Sequence, residues 1–217
     1  IASSLLLPHD ASAQTSARRL ASCSSDIEGL RPEPSYLTGH TARVGGTRAA
    51  QAERAGWDGF FVWEPVWGID AWVTLSAAAL RTERIRLGTM LTPVARMRPW
   101  KLAGETATVD RLSEGRVTLG VGLGAPDTGW AAFGEPIDRK TRAELTDEAL
   151  EILTGLWRGQ PYSFAGKHYT VAPCDFMPPP PPVQQPRIPI WVVGVCDSPR
   201  SLARVARYDG LIPSARN

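Results

Sequence analysis

The stretch from Glu105 to Gly124 constrains the fold of this 217-residue chain more than any other segment. Its first half continues a run of inward-facing residues at three-to-four spacing, namely Leu102, Thr106, Val109 and Leu112. That spacing predicts a helix beginning at Pro99. From Arg116 the apolar period changes to two, which predicts a β-strand ending at Gly122. The segment therefore predicts an αβ unit whose strand ends in Gly-Val-Gly-Leu-Gly, where another group can approach the backbone closely.

The same alternation continues through the rest of the chain. Apolar runs predict further strands at 57–64, 85–91, 190–194 and 209–212. Amphipathic or capped stretches predict helices ending near 55 and at 70–81, 145–156 and 198–207. Aromatic residues around Ala165-Gly166 predict a small inserted hairpin near 162–171. Strands separated by single helices imply parallel pairing, which leaves either an open doubly wound sheet or a barrel.

The first 47 residues differ from the remainder, because they are rich in Ser, Arg, Pro and Gly and show no sustained periodicity. We expect loop or disorder there, with at most one short strand at Leu5–Leu7. Residues 48–217 are expected to form a single domain. Since residue 1 is isoleucine, we also expect the chain to be a fragment or a processed product.

Composition argues against several classes of partner. The 24 Lys and Arg residues and 22 Asp and Glu residues are interspersed, so we expect neither nucleic acid nor a membrane surface as a partner. The longest apolar runs are far shorter than the roughly 20 residues that a membrane-spanning helix needs. Cys23, Cys174 and Cys196 show no metal-site or paired spacing, which favours a reducing, cytoplasmic location. We expect no metal site.

Four segments together resemble the luciferase-like flavin-dependent oxidoreductases of the bacterial luciferase superfamily. They are AGWDGFFVWEPVWGIDAW, RTERIRLGTMLTPVARMRP, DRLSEGRVTLGVGLG and PRIPIWVVG, and the resemblance covers about Ala50 to Ser214. It implies a (β/α)8 TIM barrel, here incomplete with about five to six strands. It also implies oxidoreductase or monooxygenase activity on a small organic substrate, with FMN or coenzyme F420 at the carboxyl ends of the strands.

The resemblance also implies site residues. Glu64 takes the place of an Asp-His pair that many F420-using members carry beside the ring, but Pro65 stands where the histidine would be. Thr89 and Met90 are expected to share a non-proline cis peptide beneath the ring. The remaining expected cofactor contacts are Gly122 and Leu123 along one strand end, and Gly194, Val195, Cys196 and Ser214 around the phosphate.

Some residues have two readings at this level. Trp63, Trp67 and Trp130 can form a substrate pocket, but core or interface packing explains them as well. Glu64 is expected either to face a cleft or to pair with a neighbouring arginine. His168 is expected to be structural.

The function also has two readings. The rival to an enzyme is a non-catalytic flavin-binding or vestigial barrel protein. Either reading favours a homodimer or missing sequence over a soluble monomer, because an incomplete barrel exposes the edges of its sheet.

Overall fold

A computed structural model of the chain describes residues 20–22, 41–125, 129–159, 161–174 and 181–214. Its strands are β1 (Leu20–Ser22), β2 (Gly59–Val62), β3 (Arg86–Thr89), β4 (Thr92–Pro93), β5 (Val117–Gly122), β6 (Tyr162–Ala165), β7 (Thr170–Cys174), β8 (Ile190–Val195) and β9 (Gly210–Ser214). Its helices are α1 (Thr41–Arg54), α2 (Ala71–Ala79), α3 (Pro99–Leu112), α4 (Arg139–Arg158) and α5 (Pro199–Val205).

The order of the strands decides between the two architectures that the sequence left open. One parallel sheet runs in the order β1-β2-β3-β5-β8-β9, and the two-residue β4 also pairs with β5. The spatial order therefore follows the order in the chain, whereas a doubly wound sheet reverses direction at a switch point. Consecutive parallel strands with intervening helices are the arrangement of a (β/α) barrel. The fold is thus a partial barrel, as the resemblance implied.

Most predicted elements lie close to those observed, and the corrections fall near the start of the chain and at α4, which begins at Arg139, six residues before the predicted start. Asp70 caps α2 by accepting a hydrogen bond from the Val73 amide, and Gly56 follows α1 with a positive φ of 79°. Helix α1 begins at Thr41, so it crosses the boundary that we drew between residues 47 and 48. The expected strand at Leu5–Leu7 lies outside the described residues.

Glycine explains why periodicity did not reveal the beginning of α1. Gly45 and Gly46 are buried against α2, and a Cβ added at Gly45 would lie 2.4 Å from Cγ2 of Thr74. These residues allow the two helices to approach closely, but they carry no side chain that would register as an apolar face.

The core lies between the sheet and its helices. Every residue of β2 and β5 is buried, as expected for parallel strands covered on both faces. The fully buried leucines are Leu75, Leu87, Leu102, Leu119, Leu150 and Leu153. This packing holds the strand ends in fixed positions relative to one another.

The predicted hairpin is confirmed and is attached to α4. Strands β6 and β7 pair antiparallel. The Glu148 carboxylate accepts hydrogen bonds from the backbone amides of Lys167, His168 and Tyr169, at 2.8 to 3.0 Å. His168 Nε2 lies 2.9 Å from Glu144 Oε2, which gives this histidine a structural contact. Hydrogen bonds from Lys167 and His168 lower the pKa of Glu144 to about 2.

Candidate active site

The carboxyl ends of the parallel strands open onto one cleft of about 1290 Å³. At least one residue at or just beyond the end of each of five strands lines it: Glu64 after β2, Met90 and Leu91 after β3, Leu123 and Gly124 after β5, Val195 on β8 and Ser214 on β9. Parallel strands place their carboxyl ends at a common edge, which is where barrels of this kind form their sites. Trp63 and Trp130 line the same cleft. The structure therefore brings together seven of the predicted site residues: Trp63, Glu64, Met90, Leu123, Trp130, Val195 and Ser214.

Glu64 is the buried carboxyl group of this cleft. It is 6% exposed, and its Oε2 lies 2.5 Å from the hydroxyl of Thr92. Burial raises the pKa of Glu64 from an ordinary 4.5 to about 7, against the opposing effects of a hydrogen bond with the Thr92 hydroxyl and of the nearby Arg96 guanidinium. A carboxyl group with a pKa near neutrality can hold or release a proton under ordinary conditions, which is the property required of a general acid or base.

Arg96 contacts the backbone next to Glu64. Its Nη2 donates hydrogen bonds to the carbonyl oxygens of Glu64 at 3.1 Å and Pro65 at 2.8 Å. The guanidinium thus holds the end of β2 in place, and of the two readings for Glu64 the structure favours the one in which it faces a cleft.

The segment after β3 corrects one prediction. The non-proline cis peptide joins Met90 and Leu91, one residue later than the Thr89–Met90 bond that we expected. Met90 lines the cleft, whereas Thr89 is fully buried behind it and donates a hydrogen bond to the carbonyl of Gly120 at 2.9 Å. Gly120 is needed for this approach, because a Cβ there would lie 2.0 Å from the carbonyl oxygen of Thr89.

Arg142 supports the end of β5, and the sequence analysis missed it. Its Nη1 donates to the carbonyl oxygens of Leu123 at 2.7 Å and Gly124 at 2.8 Å. The guanidinium also lies over the Trp130 ring, 5.2 Å from its centroid. Burial lowers the pKa of Arg142. The sequence does hold a signal for its burial. Residues 142, 146, 150 and 153 share one helix face, and the last three of them are apolar or small, so the side chain of Arg142 lies on the inward face of α4.

The three tryptophans have different environments. Trp130 is 1% exposed and forms part of the inner wall. Trp63 also lines the cleft but is 57% exposed, which places it at the rim. Trp67 is 84% exposed and stacks on Phe133, with ring centroids 6.3 Å apart. We expected Trp67 in the wall of the substrate pocket, but it lies outside that wall.

Four further predicted contacts do not reach the cleft wall. Thr89 is buried behind Met90, and Gly122 packs against Leu91, whose Cδ2 would be 2.7 Å from an added Cβ. Gly194 packs against Leu211 in the same way, and Cys196 is exposed to solvent. Periodicity places these residues near strand ends, but which face they present depends on the curvature of the sheet.

The predicted phosphate region is lined by side-chain cations more than by backbone donors. The amide of Val195 already donates to Ser201 Oγ at 3.1 Å. The cations on the cleft wall are Arg139, Lys140 and Arg142 on α4, Arg200 and Arg204 on α5, and Arg207 beyond it. Arg204 forms a bidentate ion pair with Asp147, with Nε 2.7 Å from Oδ1 and Nη2 2.8 Å from Oδ2. The same wall also carries the carboxylates Asp138, Glu144 and Asp147. Arg139, Lys140 and Arg200 are the wall cations that can face an anionic group.

The described part of the chain offers neither a metal-binding cluster nor a membrane-spanning helix. No three His, Cys, Asp or Glu side chains there are grouped closely enough to hold a metal ion. None of the helices in the same ranges combines the length and apolar character that crossing a bilayer requires.

Known proteins share both this sequence pattern and this architecture. F420-dependent glucose-6-phosphate dehydrogenase from Beutenbergia cavernae is 35% identical over 172 residues, which cover 74% of this chain and 49% of that protein. The crystal structure of monooxygenase RslO1 from Streptomyces bottropensis has a TM-score of 0.69 and 30% identity, covering 81% of this chain and 54% of that one.

A third relative has been solved with a cofactor. The FMN complex of the oxygenating constituent of 3,6-diketocamphane monooxygenase from Pseudomonas putida has a TM-score of 0.66 and 25% identity, over 81% of this chain and 52% of that one. The chain thus spans about half the length of the relatives it matches.

The family assignment follows from a family-wide comparison as well as from these pairs. The model of the luciferase-like monooxygenase family matches residues 29–216. The match includes all four segments on which the resemblance was based, and it begins ahead of residue 48. With its consecutive parallel strands and common cleft, this chain belongs to the luciferase-like monooxygenase family.

Proposed function

We propose that this protein is an oxidoreductase that binds FMN or coenzyme F420 in the cleft and acts there on a small organic substrate. The observation that carries the proposal is the position of Glu64, a buried carboxyl group with a pKa near 7 in the cleft formed by the strand ends. Relatives named for F420-dependent and FMN-containing enzymes support the choice of cofactor.

The residues that line the cleft suit such a cofactor. Met90, Leu91 and Gly124 offer an apolar surface for a flat ring. Arg139, Lys140 and Arg200 offer cations for an anionic phosphate. When bound, the cofactor supplies the hydride or oxygen chemistry. The chain itself contributes the Glu64 carboxyl group and a wall held in position by Arg142.

The substrate side of the proposal rests on aromatic groups. Trp63 at the rim and Trp130 in the wall offer apolar contact area, which favours a substrate with a substantial apolar part. Trp67 lies outside the wall, and we leave it out of the proposed pocket.

Titration of the purified protein with FMN and with F420, followed by the absorbance and fluorescence of the ring, tests the binding. Replacing both Arg139 and Arg200 with alanine is expected to weaken binding at least about tenfold, because each cation contributes to holding the phosphate. Arg84→Ala is the matched control, since Arg84 is exposed and precedes β3 at the opposite end of the sheet. Absence of binding by the wild-type protein would refute the proposal.

One observation favours a second candidate, a flavin-binding protein without turnover. Pro65 follows Glu64, so the chain has no imidazole beside the carboxyl group at this strand end. Following reductant consumption together with ring absorbance separates the candidates. Uptake with consumption supports the enzyme, and uptake without consumption supports the second candidate.

Assembly and location complete the proposal. We propose a homodimer, because β1 and β9 stand at the two ends of the described sheet path and offer edges to a second copy. Sedimentation at several protein concentrations tests this. A cytoplasmic location, expected from the cysteine pattern, is tested by cell fractionation.

A further inference from the structure

A row of buried oxygen atoms leads from Glu64 into the sheet. The hydroxyl oxygen of Thr92 lies 2.5 Å from Glu64 Oε2 and 2.9 Å from the hydroxyl oxygen of Thr89. The Thr89 hydroxyl in turn lies 2.9 Å from the carbonyl oxygen of Gly120. Both threonines are 0% exposed, so water does not reach these contacts.

Counting protons along this row determines the state of Glu64. Three oxygen-to-oxygen contacts at hydrogen-bond distance need three protons between them. The two hydroxyls supply two, and the Gly120 carbonyl supplies none. If Glu64 were ionised, one contact would bring two lone pairs together in a buried site, where an unmade hydrogen bond is costly. If Glu64 is protonated, every contact carries a proton.

We infer that Glu64 is a neutral carboxylic acid whose proton is donated to Thr92, and that Thr92 is the residue that positions this proton. By distance alone the Thr92 hydroxyl could donate to either Glu64 or Thr89, but it carries a single proton. In the direction that we assign, Glu64 donates to Thr92, Thr92 to Thr89, and Thr89 to the carbonyl of Gly120. This inference rests on the proposed function, because it assigns the state in which Glu64 meets a ligand in the cleft.

The row orients the proton and does not conduct it away. A backbone carbonyl cannot take up a proton at ordinary pH, so the row ends at Gly120. Oε1 remains as the acceptor of the carboxyl group for an N–H or O–H of a ligand. The cleft therefore presents a neutral acceptor at Glu64, which does not repel a ligand ring that carries negative charge.

The charged groups around Glu64 act in both directions. Burial has the largest effect on its pKa and favours the neutral form. Asp70 at the start of α2 and Glu105 on α3 also favour the neutral form, since like charges disfavour ionisation. A hydrogen bond donated by Thr92 would favour the ionised form, as does the Arg96 charge in the short helical turn Val94–Arg96, so the direction of the Thr92 hydrogen bond is the point that the experiment must decide.

Infrared spectroscopy of the protein without added cofactor tests the state directly. At pH 6 the spectrum is expected to contain the C=O band of a protonated buried carboxyl group that is absent from Glu64→Gln. Raising the pH is expected to remove the band with a midpoint near 7. If wild-type and Glu64→Gln spectra agree at pH 6 in this region, the inference is overturned.

Substitutions at Thr92 test the direction of the hydrogen bond. Thr92→Val removes the acceptor of the Glu64 proton and is expected to lower the midpoint by about one pH unit. Thr92→Ser is expected to restore it. If Thr92 instead donates to an ionised carboxylate, Thr92→Val raises the midpoint, which overturns the inference. Thr106→Val is the control, because the buried hydroxyl of Thr106 bonds to the helix carbonyl of Leu102.

The outcomes remain separable from those of the proposed function. Failure to bind FMN or F420 leaves the infrared band in place and refutes the function alone. Binding without the band refutes the inference alone. Should Thr92→Val fail to fold, the comparison of wild type with Glu64→Gln still decides the protonation state.

Discussion

Replacing Glu64 with glutamine is expected to change how the stability of the protein depends on pH. The folded state raises the pKa of Glu64 from 4.5 to about 7. Between these values the folded protein binds a proton that the unfolded chain has released, so the free energy of unfolding falls as pH rises. The stabilisation is complete below about pH 4.5 and is lost as pH rises through 7.

The size of the effect follows from the same two pKa values. With about 1.4 kcal/mol for each pKa unit, the wild-type protein should lose roughly 2.5 kcal/mol of stability between pH 5 and pH 8 through this one group. Glu64→Gln does not titrate, so the stability of the variant relative to wild type should improve by that amount over the interval. Carboxylates whose pKa is lowered, such as Asp147, act in the opposite direction and at lower pH.

Urea unfolding followed by tryptophan fluorescence at pH 5, 6, 7 and 8 measures this difference, and the eight tryptophans of the chain provide the signal. Taking the difference between variant and wild type cancels the titration of every other group. Glu83→Gln, at an exposed position, is the control and should follow the wild-type curve. Parallel curves for wild type and Glu64→Gln, within about 0.5 kcal/mol from pH 5 to pH 8, would refute the reasoning.

Three other substitutions probe contacts that hold the hairpin and the strand ends in place. Glu148→Gln should lower the free energy of unfolding by about 1–3 kcal/mol, because it weakens the hydrogen bonds from the hairpin amides. Limited proteolysis within the hairpin should then be faster, and an unchanged cleavage rate contradicts this. Gly120→Ala should lower stability by about 1–3 kcal/mol, because its Cβ would meet the Thr89 carbonyl, and an unchanged thermal midpoint contradicts this. Arg142→Lys should weaken FMN or F420 binding about tenfold by loosening the end of β5, whereas unchanged affinity contradicts this.

The sequence was most informative where a single segment determines the structure. The period of two from Arg116 to Gly122 defines β5, and Asp70 marks the start of α2. Local periodicity carries no information about which strands are neighbours, so the barrel-like order required either the resemblance or the coordinates. The residue pattern also did not distinguish between adjacent bonds for the cis peptide, which joins Met90 and Leu91.

The parts of the site that sequence analysis missed all depend on contacts distant in the chain. Thr92 follows the strand predicted at 85–91, and its contact with Glu64 spans 28 residues. Arg142 precedes the helix predicted at 145–156, and it reaches strand-end carbonyls 18 and 19 residues earlier. Such contacts follow from the register of the sheet and the rotation of α4, which no local pattern specifies.

The double hydrogen bond from Arg142 has a consequence for how this cleft can diversify. It joins the end of β5 directly to the first turn of α4, so the connection between them begins and ends at one guanidinium group. Lengthening or replacing the outer part of that connection leaves both anchor points where they are, and longer loops add little to the entropy of closure. New substrate preferences can therefore be introduced at this loop without moving Glu64 or the wall opposite it.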